Sequence, residues 1–484
     1  MTIELKQISE YIWEIPKTGE MLVPGRIYAD AGLIKHLVDD VNKGKEWNAL
    51  VQIRNVACLP GIEKASLAMA DVHPGYGFAI GAIGAFDVET GIIAVGGVGY
   101  DVNCGVRTLK TQLTRDDLKG KEENLANELF RTVPAGVGSE GKIKLSLSQI
   151  DEVLVKGAKY AIECGFGTQE DLTFMEEEGC VKGADPKTVS HEAKERGFNQ
   201  VGTLGSGNHY LEVQYVDEIF DEQAAKVYGL FKNQILISIH CGSRALGHQI
   251  GTDYLKTLEA TSRKYNIPIR ERELVCAPFK SEEGQRYFKA INCGINAAFA
   301  NRQVLGHLTR KAFASAIGAD EKSIRTLYDI GHNTAKLEKH KVDGKEKDLI
   351  VHRKGATRAF GLGRPEVPAA YRGIGQPVLV GGTMGTCSYI LHGTEKGMEE
   401  VFGTAVHGAG RVLSREAAKK RWRAKELIAE LGKSGIIIKG HSLSGVAEEA
   451  PGAYKDVIQV VDVVHNAGIA KKVAMSKPLI SIKG

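Results

Sequence analysis

A carboxylate and a thiol stand three residues apart in the stretch GYDVNCGVR, residues 99–107. The run before it, GIIAVGG at 91–97, has the apolar character and the terminal glycines of a short buried strand. We therefore expect Asp101 and Cys104 to lie on a loop that leaves a sheet, a common position for catalytic groups. A thiolate suits borderline ions such as zinc, iron or manganese, and a carboxylate tolerates harder ones. The pair indicates a metal site, although a buried free cysteine without a metal would have the same local sequence.

The composition of the chain is that of an ordinary soluble globular protein. Its 484 residues are 43% hydrophobic and 25% charged, with a formal net charge of +4, so charge alone does not predict a nucleic-acid ligand. The eight cysteines form no CxxC pair, which argues against zinc ribbons and disulfides and favours the cytosol. The N-terminal segment lacks the apolar core of a signal peptide, and the chain lacks an apolar run of about eighteen residues. We therefore expect a cytoplasmic protein that is neither exported nor inserted in a membrane.

Three histidines repeat the pattern of a polar ligand at the end of a predicted strand or loop. Each closes one of three segments, GSGNH (205–209), QILISIH (234–240) and YDIGH (328–332). Ligand-binding groups gather at strand ends in sheet-containing enzymes. With Asp101 and Cys104, these histidines are enough to hold two ions bridged by Cys104, and ions roughly 3.5–4 Å apart stabilise both the attacking and the leaving oxygen in phosphoryl transfer.

Three later segments predict phosphate or nucleotide contacts. The small residues of GGTMGTCS (381–388) suit a nucleotide, although the GK[ST] of a Walker A loop does not follow. In HGAGR (407–411), an arginine four positions after the histidine would neutralise the charge of a phosphorylated or nucleotidylated His407. The basic run HRKGATR (352–358) suits phosphate recognition, and a solvated basic loop would look the same.

Hydrophobic spacing and charge also predict local structure. Apolar spacing predicts helices at 32–42 and 282–317 and a strand at 51–59. The basic stretch 414–431 is expected to form one helix capped by Ser414, which lines an RNA path or faces solvent. The acidic run 176–178 is typical of a solvated face.

A few isolated polar residues have less specific expected roles. In DVHPGYGF (71–78), His73 is expected to be part of a structural turn, whereas Asp71 is suited to supporting a metal or a phosphate-binding lysine. A further set is expected to orient ligands or form salt bridges rather than bind metal, namely Asn333, Lys336, Glu338 and His340.

The ordered set of motifs resembles the RtcB-type tRNA-splicing RNA ligases across nearly the whole chain. The motifs that carry the resemblance are DVHPGYGF (71–78), DVNCGVR (101–107), GSGNH (205–209), HCGSRALGHQ (240–249), DIGHN (329–333), HRKGATRAF (352–360), HGAGR (407–411), EEAPGAYKDV (448–457) and the terminal KG (483–484). They are long and occur in a fixed order, so they are far more specific than a single glycine-rich loop.

The resemblance implies a GTP- and Mn²⁺-dependent ligase that uses two metal ions. Such an enzyme joins an RNA 3′-phosphate or 2′,3′-cyclic phosphate end to a 5′-hydroxyl end, in tRNA splicing and RNA repair. His407 matches the nucleophile that forms a histidine–GMP intermediate, after which GMP activates the RNA 3′ end. The implied partners are RNA ends of this kind, including tRNA halves, with archease as a candidate activator; we expect a monomer.

The resemblance also assigns site residues and a fold. The residues that match metal ligands are Asp101, Cys104, His209, His240 and His332, with Cys104 shared between the ions. Those that match the nucleotide and phosphate contacts are Asn208, Glu212, Asn333, Gly381, Thr383, Ser388, His407, Gly408, Ala409, Gly410, Arg411, Tyr454 and Lys483. The implied fold is one large α+β domain over residues 1–484, with mixed β-sheets around a central metal cleft.

Two other functional classes share part of this pattern. A binuclear-metal phosphodiesterase or phosphatase acting on RNA ends would need the same Asp–Cys–His set, but neither a nucleophilic His407 nor a guanine pocket. A non-catalytic RNA-binding relative would need a basic surface and would tolerate loss of the metal ligands, all of which are present here.

Overall fold

Two large β-sheets carry most of the strands in the computed structural model, which describes residues 3–44 and 47–484. The strands are β1 (Lys6–Ser9), β2 (Ile12–Ile15), β3 (Gly25–Tyr28), β4 (Ser66–His73), β5 (Ile80–Asp87), β6 (Ile92–Ala94), β7 (Gly105–Thr114), β8 (Tyr210–Ile219), β9 (Gln234–Cys241), β10 (Cys276–Pro278), β11 (Arg325–Gly331), β12 (Asn333–Val342), β13 (Lys345–Lys354), β14 (Ala356–Arg358), β15 (Pro377–Val380), β16 (Ser388–Gly393), β17 (Thr404–Val406), β18 (Ile437–Gly440) and β19 (Ala470–Lys483).

Both large sheets are mixed. The seven-stranded sheet has the order β1-β2-β3-β4-β5-β13-β12, and its one parallel pair is β3–β4. The eight-stranded sheet has the order β11-β7-β9-β8-β19-β16-β15, with β18 added in parallel to β19. Two short ribbons, β6–β10 and β14–β17, contain the remaining named strands. The sheets and the helices between them confirm the predicted α+β class.

The helices connect and cover these sheets. They are α1 (Ala31–Asn42), α2 (Ala49–Val56), α3 (Arg115–Leu118), α4 (Glu122–Thr132), α5 (Leu147–Lys156), α6 (Ala158–Glu163), α7 (Gln169–Thr173), α8 (His191–Gly197), α9 (Glu222–Tyr228), α10 (Arg244–Lys264), α11 (Glu282–Ile317), α12 (Glu395–Val401), α13 (Arg415–Arg421), α14 (Ala424–Lys433), α15 (Leu443–Glu448) and α16 (Val457–Asn466). Within the described ranges, no helix combines the length and the apolar composition that a membrane crossing requires.

Helix α11 is the central helix of the core. It spans 36 residues, as the apolar spacing predicts, and packs against α4, α5, α6 and α10. Its first turn is capped by Ser281, whose hydroxyl accepts a hydrogen bond from Gly284 N at 3.1 Å. Its end is set by Gly318, which adopts the left-handed conformation (φ 72°) that favours glycine. Because α11 is buried along most of its length, it holds the strands that carry the site in fixed positions.

Two local predictions are wrong. Residues 51–59 were expected to form a strand, but α2 occupies most of this run. The Asn48 side chain caps its first turn by accepting from Leu50 N and Val51 N, and Leu50, Ile53 and Val56 then share the buried face. The predicted helix over 414–431 is interrupted at Trp422, so α13 and α14 are separate, although Ser414 caps the first of them as expected.

The acidic run 176–178 and the basic run 352–358 also differ from expectation. Glu176 is buried rather than solvated and pairs with Lys336 Nζ at 2.8 Å. The side chains of Arg353 and Arg358 are buried in ion pairs with Glu338, Glu176 and Glu177. Charged residues whose sequence suggests an exposed position are therefore paired with one another in the interior. The expected salt-bridge role of Lys336, Glu338 and His340 is confirmed.

Candidate active site

Antiparallel register brings the predicted ligand residues to one end of the eight-stranded sheet. Cys104 directly precedes β7, His209 directly precedes β8, His240 lies near the end of β9, and His332 directly follows β11. In the register, His240 is opposite both Val106 and Tyr210, and Gly331 is opposite Gly105. Because starts and ends of neighbouring antiparallel strands meet at the same edge, the four residues converge although up to 228 positions separate them.

These side chains, with Asp101, form one cluster of potential ligands. Two groups of ligand atoms lie within 4.8 Å of one another, Cys104 with His240 and His332, and Cys104 with Asp101 and His209. Cys104 belongs to both groups: its Sγ lies 3.3 Å from His240 Nε2 and 3.5 Å from His209 Nε2. The cluster is therefore arranged in two halves around a single thiol.

The imidazoles of His209 and His240 are oriented by backbone carbonyl groups. His240 Nδ1 lies 3.0 Å from Asn208 O, and His209 Nδ1 lies 3.0 Å from Leu204 O. A carbonyl oxygen can only accept, so each Nδ1 carries the proton and each Nε2 faces the cluster. Such outer hydrogen bonds are typical of histidines that bind metal ions.

The inner atoms of the cluster fit a cation. His240 Nε2 lies 3.2 Å from His332 Nε2, and His209 Nε2 lies 2.9 Å from Asp101 Oδ2. The other carboxylate oxygen of Asp101 is buried without a hydrogen-bond partner. Because the Nδ1 atom of His240 holds the proton, its Nε2 carries a lone pair, and this nitrogen, the sulfur and the carboxylate oxygen can coordinate a cation placed among them. A ligand set of nitrogen, sulfur and oxygen atoms suits a transition metal.

Burial controls the protonation of this cluster. Burial lowers the pKa of His240 and His332 well below the ordinary value, so both are neutral. Burial also raises the pKa of the Cys104 thiol well above its usual range, and the charge of Asp101 adds to this. For Asp101 itself, burial opposes ionisation, but the hydrogen bond and charge of His209 lower the pKa to about 2. A metal ion would offset the cost of the thiolate, because a coordinating thiol is deprotonated.

Buried polar residues hold the Asp101–Cys104 loop in place. Cys104 N donates to Asp101 O at 3.0 Å, and Asn333 Nδ2 donates to the same carbonyl oxygen at 3.0 Å. Behind the loop, Arg302 Nη1 donates to Asn103 O at 2.7 Å while its guanidinium pairs with Asp329. A Cβ at Gly242 would lie 2.4 Å from Asp101 Oδ1, so only glycine leaves room for the carboxylate there.

His407 lies beside the cluster and is held by Asp71. Its Nδ1 lies 2.6 Å from Asp71 Oδ2, which also accepts from His407 N at 3.0 Å. Asp71 is fully buried, and the His407 and His332 ring centroids are 4.8 Å apart. Because the carboxylate accepts the Nδ1 proton, the lone pair of His407 is on Nε2, which is free to act as a nucleophile.

A cavity next to His407 gathers most of the residues predicted to contact a nucleotide. Those that line it are Asn208, Glu212, Gly381, Thr383, His407, Gly408, Ala409, Gly410, Arg411, Tyr454 and Lys483. Two predicted residues lie elsewhere. Ser388 lies behind the 381–388 loop and accepts from Gly382 N at 3.1 Å, and Asn333 supports the Asp101 loop and accepts from Gly355 N at 2.8 Å.

The lining of the cavity includes a buried carboxylate, Glu212. Glu212 accepts hydrogen bonds from Gln214 Nε2 at 2.8 Å and from Ser481 Oγ at 3.1 Å. Burial raises its pKa to about 7, although these hydrogen bonds and the charge of Lys483 act in the opposite direction. Burial lowers the pKa of Lys483, which lies 5.7 Å from the Tyr210 ring centroid.

Sequence reasoning missed several residues of the site. Asp71 was expected to support a metal or a phosphate-binding lysine, but it contacts His407. The cavity lining also includes His73, Arg415 and Glu449. Glu449 accepts from Arg411 Nη1 at 3.0 Å and from the Tyr454 hydroxyl, so it fixes two predicted nucleotide contacts. The signal was present in the sequence, because Asp71 and Glu449 lie in the motifs DVHPGYGF and EEAPGAYKDV.

Comparison with known proteins gives a consistent result over the full chain. The family model described as tRNA-splicing ligase RtcB matches residues 52–484. The chain is 52% identical over 485 residues to the tRNA-splicing ligase RtcB of Thermococcus kodakarensis, covering 100% of this chain and 99% of the relative. It is 50% identical over 488 residues to the protein of that name from Methanococcus maripaludis, covering 100% of both. For the Archaeoglobus fulgidus protein the identity is 49% over 484 residues, with 99% of each chain covered. These matches confirm the resemblance in the motifs, and the chain belongs to the RtcB family of tRNA-splicing ligases.

Proposed function

We propose that this chain is a GTP- and Mn²⁺-dependent RNA ligase that joins an RNA 3′-phosphate or 2′,3′-cyclic phosphate end to a 5′-hydroxyl end. The reaction would serve tRNA splicing and RNA repair in the cytoplasm. Membership of the RtcB family supports the ligase class. The observation that carries the detailed proposal is the hydrogen bond from His407 Nδ1 to buried Asp71, beside a cluster suited to metal ions.

Two Mn²⁺ ions would be held by Asp101, Cys104, His209, His240 and His332. The two overlapping groups that share Cys104 support a pair of ions. Bound metal ions would supply positive charge that reduces the repulsion between a nucleophile and a phosphate. The chain's own contribution is to present imidazoles, a carboxylate and a buried thiol in fixed orientations.

His407 would carry the covalent step. Its Nε2 attacks the α-phosphorus of GTP, an N–P bond forms, the bond to the β-phosphate oxygen breaks, and pyrophosphate leaves. The proton on Nδ1 remains hydrogen-bonded to Asp71, so the positive ring that results is stabilised by a buried carboxylate. The product is a histidine–GMP intermediate.

Two transfers then complete ligation. A 2′,3′-cyclic phosphate is first opened by water to a 3′-phosphate. An oxygen of the RNA 3′-phosphate takes GMP from His407, and the 5′-hydroxyl then attacks the activated 3′-phosphate and displaces GMP. Activation is needed because a phosphate dianion repels nucleophiles and has a poor leaving oxygen, whereas GMP leaves readily.

The cavity beside His407 supports guanine as the base. Glu212 is a buried carboxylate that accepts hydrogen bonds, and the N1–H and N2–H₂ groups of guanine are donors. Arg411 is held by Glu449 and lies against Tyr454, with its guanidinium 4.8 Å from the ring centroid. We propose that Lys483 also contacts the base and that Asn208 and Arg411 contact the phosphates.

The proposal extends to partners and organisation. The RNA partners would carry 3′-phosphate or 2′,3′-cyclic phosphate and 5′-hydroxyl ends, as tRNA halves do. Archease is a candidate activator. We further propose that residues 1–484 act as one domain and as a monomer.

Intact mass spectrometry tests the covalent step. After incubation with Mn²⁺ and GTP, the protein should gain the mass of GMP in an adduct that is labile to acid and stable to alkali. The adduct should be absent from His407→Ala and retained by His36→Ala, which removes an exposed histidine on α1. Absence of the adduct from unmodified, Mn²⁺-loaded protein, with archease also added, would contradict the proposal.

The role of Asp71 gives a second test. Asp71→Asn keeps the size of the side chain but offers an amide in place of an anion, so the Nδ1 proton and the positive ring lose their partner. By analogy with catalytic triads, the rate of adduct formation should fall by about 10²–10⁴-fold, with little change in the GTP concentration that gives half the maximal rate. A variant that forms the adduct at the unmodified rate would remove Asp71 from the mechanism.

A further inference from the structure

Four aromatic rings form a continuous row on the surface next to the site. The ring centroids of Trp47 and Tyr76 are 4.6 Å apart, those of Tyr76 and Tyr100 are 6.1 Å apart, and those of Tyr100 and His248 are 5.1 Å apart. The first two pairs meet edge to face and the last is stacked. The row is thus one connected aromatic surface rather than four separate side chains.

The row is open to solvent. Trp47 is 45% exposed and Tyr76 is 48% exposed, although both are large aromatic residues. His248 is also exposed, and Tyr100 is partly buried. Contiguous exposed aromatic surface in a soluble protein commonly marks a binding site.

The segments that carry the rings lead directly into the active site. Tyr100 precedes Asp101, Tyr76 lies in the loop after β4, which contains Asp71, and His248 lies on α10, which begins four residues after His240. None of the four rings lines the cavity next to His407. The row therefore adjoins the metal cluster while leaving the nucleotide cavity free.

The backbone beneath Tyr76 and Tyr100 is held by contacts with neighbouring segments. Lys354 Nζ donates to the carbonyl oxygens of Tyr76 and Phe78, and Gly77 N donates to Glu271 Oε1 at 2.8 Å. Tyr100 lies close to α10 at Gly251, where a Cβ would come within 3.0 Å of Tyr100 Cδ1. Positions fixed before binding lower the entropic cost of contacting a ligand.

We propose that Trp47, Tyr76, Tyr100 and His248 form a stacking surface for unpaired bases of the RNA strand next to the end that is joined. The inference rests on the proposed RNA-ligase function. Bases stack on aromatic side chains whatever their identity, because every base has a π-face. A ligase that joins many different ends needs this kind of contact, which holds a strand without reading its sequence.

The charges that act on Tyr100, in the middle of the row, are of both signs. Glu273 and Arg272 both act electrostatically on Tyr100, so opposite charges accompany the middle of the row. A surface that attracts the backbone would be basic. The contribution of the rings should therefore change little with salt concentration, whereas the affinity of the whole protein for RNA falls as salt rises.

Fluorescence anisotropy with short labelled oligoribonucleotides tests the inference without GTP. The probes are a single strand ending in a 3′-phosphate and a single strand beginning with a 5′-hydroxyl. The double variant Trp47→Ala/Tyr76→Ala should bind at least one of them about 5- to 100-fold more weakly. Tyr76→Phe, which keeps the ring, should retain the affinity. Tyr265→Ala, which removes an exposed ring directly after α10, should bind both strands as the unmodified protein does.

Unchanged affinity of the double variant for both strands would overturn the inference and leave the row as a surface for a protein partner. If Trp47→Ala/Tyr76→Ala does not fold, the fluorescence of Trp47 answers the same question. The chain has three tryptophans, and the variant Trp13→Phe/Trp422→Phe retains only Trp47. Quenching by RNA would support stacking, and an unchanged spectrum would contradict it. Because binding is read without GTP, failure of this inference is distinct from failure of His407 to form the GMP adduct.

Discussion

His332, which directly follows β11, and His340, near the end of β12, are only eight positions apart but have different surroundings in the structure. His332 Nε2 lies 3.2 Å from His240 Nε2, and Cys104 Sγ lies 3.3 Å from the same nitrogen of His240. His340 Nε2 lies 2.8 Å from Glu338 Oε2, and the same carboxylate accepts from Arg353 Nη1 at 2.6 Å and Nη2 at 2.9 Å. Both clusters are buried. The first cluster gathers side chains that could bind a metal ion, whereas the second contains its own cation, Arg353.

Pairing, rather than residue type, therefore separates a candidate metal site from a buried ion pair. In the His340 cluster, burial opposes the ionisation of Glu338, but the charge and hydrogen bonds of Arg353 and His340 lower its pKa well below the usual range. In the His332 cluster, burial raises the pKa of the Cys104 thiol instead. We call the set of Glu338, His340 and Arg353, whose charges balance one another, the closed cluster. We call the set of Asp101, Cys104, His209, His240 and His332 the open cluster.

Removing the shared thiol should give the largest effect. Cys104→Ala deletes a ligand from both halves of the cluster, so bound Mn²⁺ and the rate of RNA joining should each fall by at least about 100-fold, the loss that removal of a residue supporting a ligand already causes. The free energy of unfolding without metal should change about as much as it does in Cys293→Ala, because both substitutions remove a buried thiol.

The measurements are the metal content after gel filtration and the ligation rate. Cys293→Ala is the matched control, because it removes a buried thiol from α11. Equal Mn²⁺ content in the Cys104 and Cys293 variants would show that the open cluster is not a metal site.

Breaking the closed cluster should affect stability instead. Arg353→Met leaves the buried carboxylate of Glu338 without its main partner, so the free energy of unfolding should fall by about 3–5 kcal/mol. Urea unfolding measures the loss. Arg364→Met, which breaks the partly exposed pair with Glu366, should cost less than about 1 kcal/mol. If the two arginine variants lose the same stability, the closed cluster contributes no more than a surface pair.

Much of the open cluster was predictable from the sequence because its signals are local. The apolar runs that end in His240 and just before His332 predict strand ends, and antiparallel pairing of both strands with β7 brings them to Cys104, which directly precedes β7. The bounds of α11 follow in the same way from a long apolar repeat. The strand expected at 51–59 failed for a local reason as well, because capping by Asn48 favours a helix there.

Partners that are distant in the sequence were not predictable. Asp71 contacts His407, which is 336 positions away. Glu338 contacts Arg353 on the next strand of a hairpin, and an exposed carboxylate and arginine in such a hairpin would have the same sequence. Glu176 was expected in solvent for this reason, although it is buried against Lys336. A single sequence shows which residues are charged and not which charges meet.

Glu212 is buried, and its neighbours balance its charge only in part. The effect of its titration on stability is expected to be the smallest of the predicted effects. Burial raises its pKa from the ordinary 4.5 to about 7, while hydrogen bonds from Gln214 and Ser481 and the charge of Lys483 only partly oppose the shift. A carboxyl whose pKa is raised on folding keeps its proton longer in the folded state. Its contribution to the free energy of unfolding is therefore greatest below the unfolded pKa and is lost as the pH rises to about 7.

Comparing unmodified protein with Glu212→Gln isolates this contribution. Relative to the glutamine variant, the unmodified protein should lose about 1–3 kcal/mol of unfolding free energy between about pH 4.5 and about pH 7 and show no further change above that range. Urea unfolding at several pH values measures it, with Glu4→Gln as the exposed control. A difference that is independent of pH would mean that Glu212 is already ionised in the folded protein and has the balanced surroundings of Glu338. A difference that falls with pH would mean that the fold alone does not balance the charge of the Glu212 carboxylate. A site for an external hydrogen-bond donor such as guanine requires an acceptor of this kind.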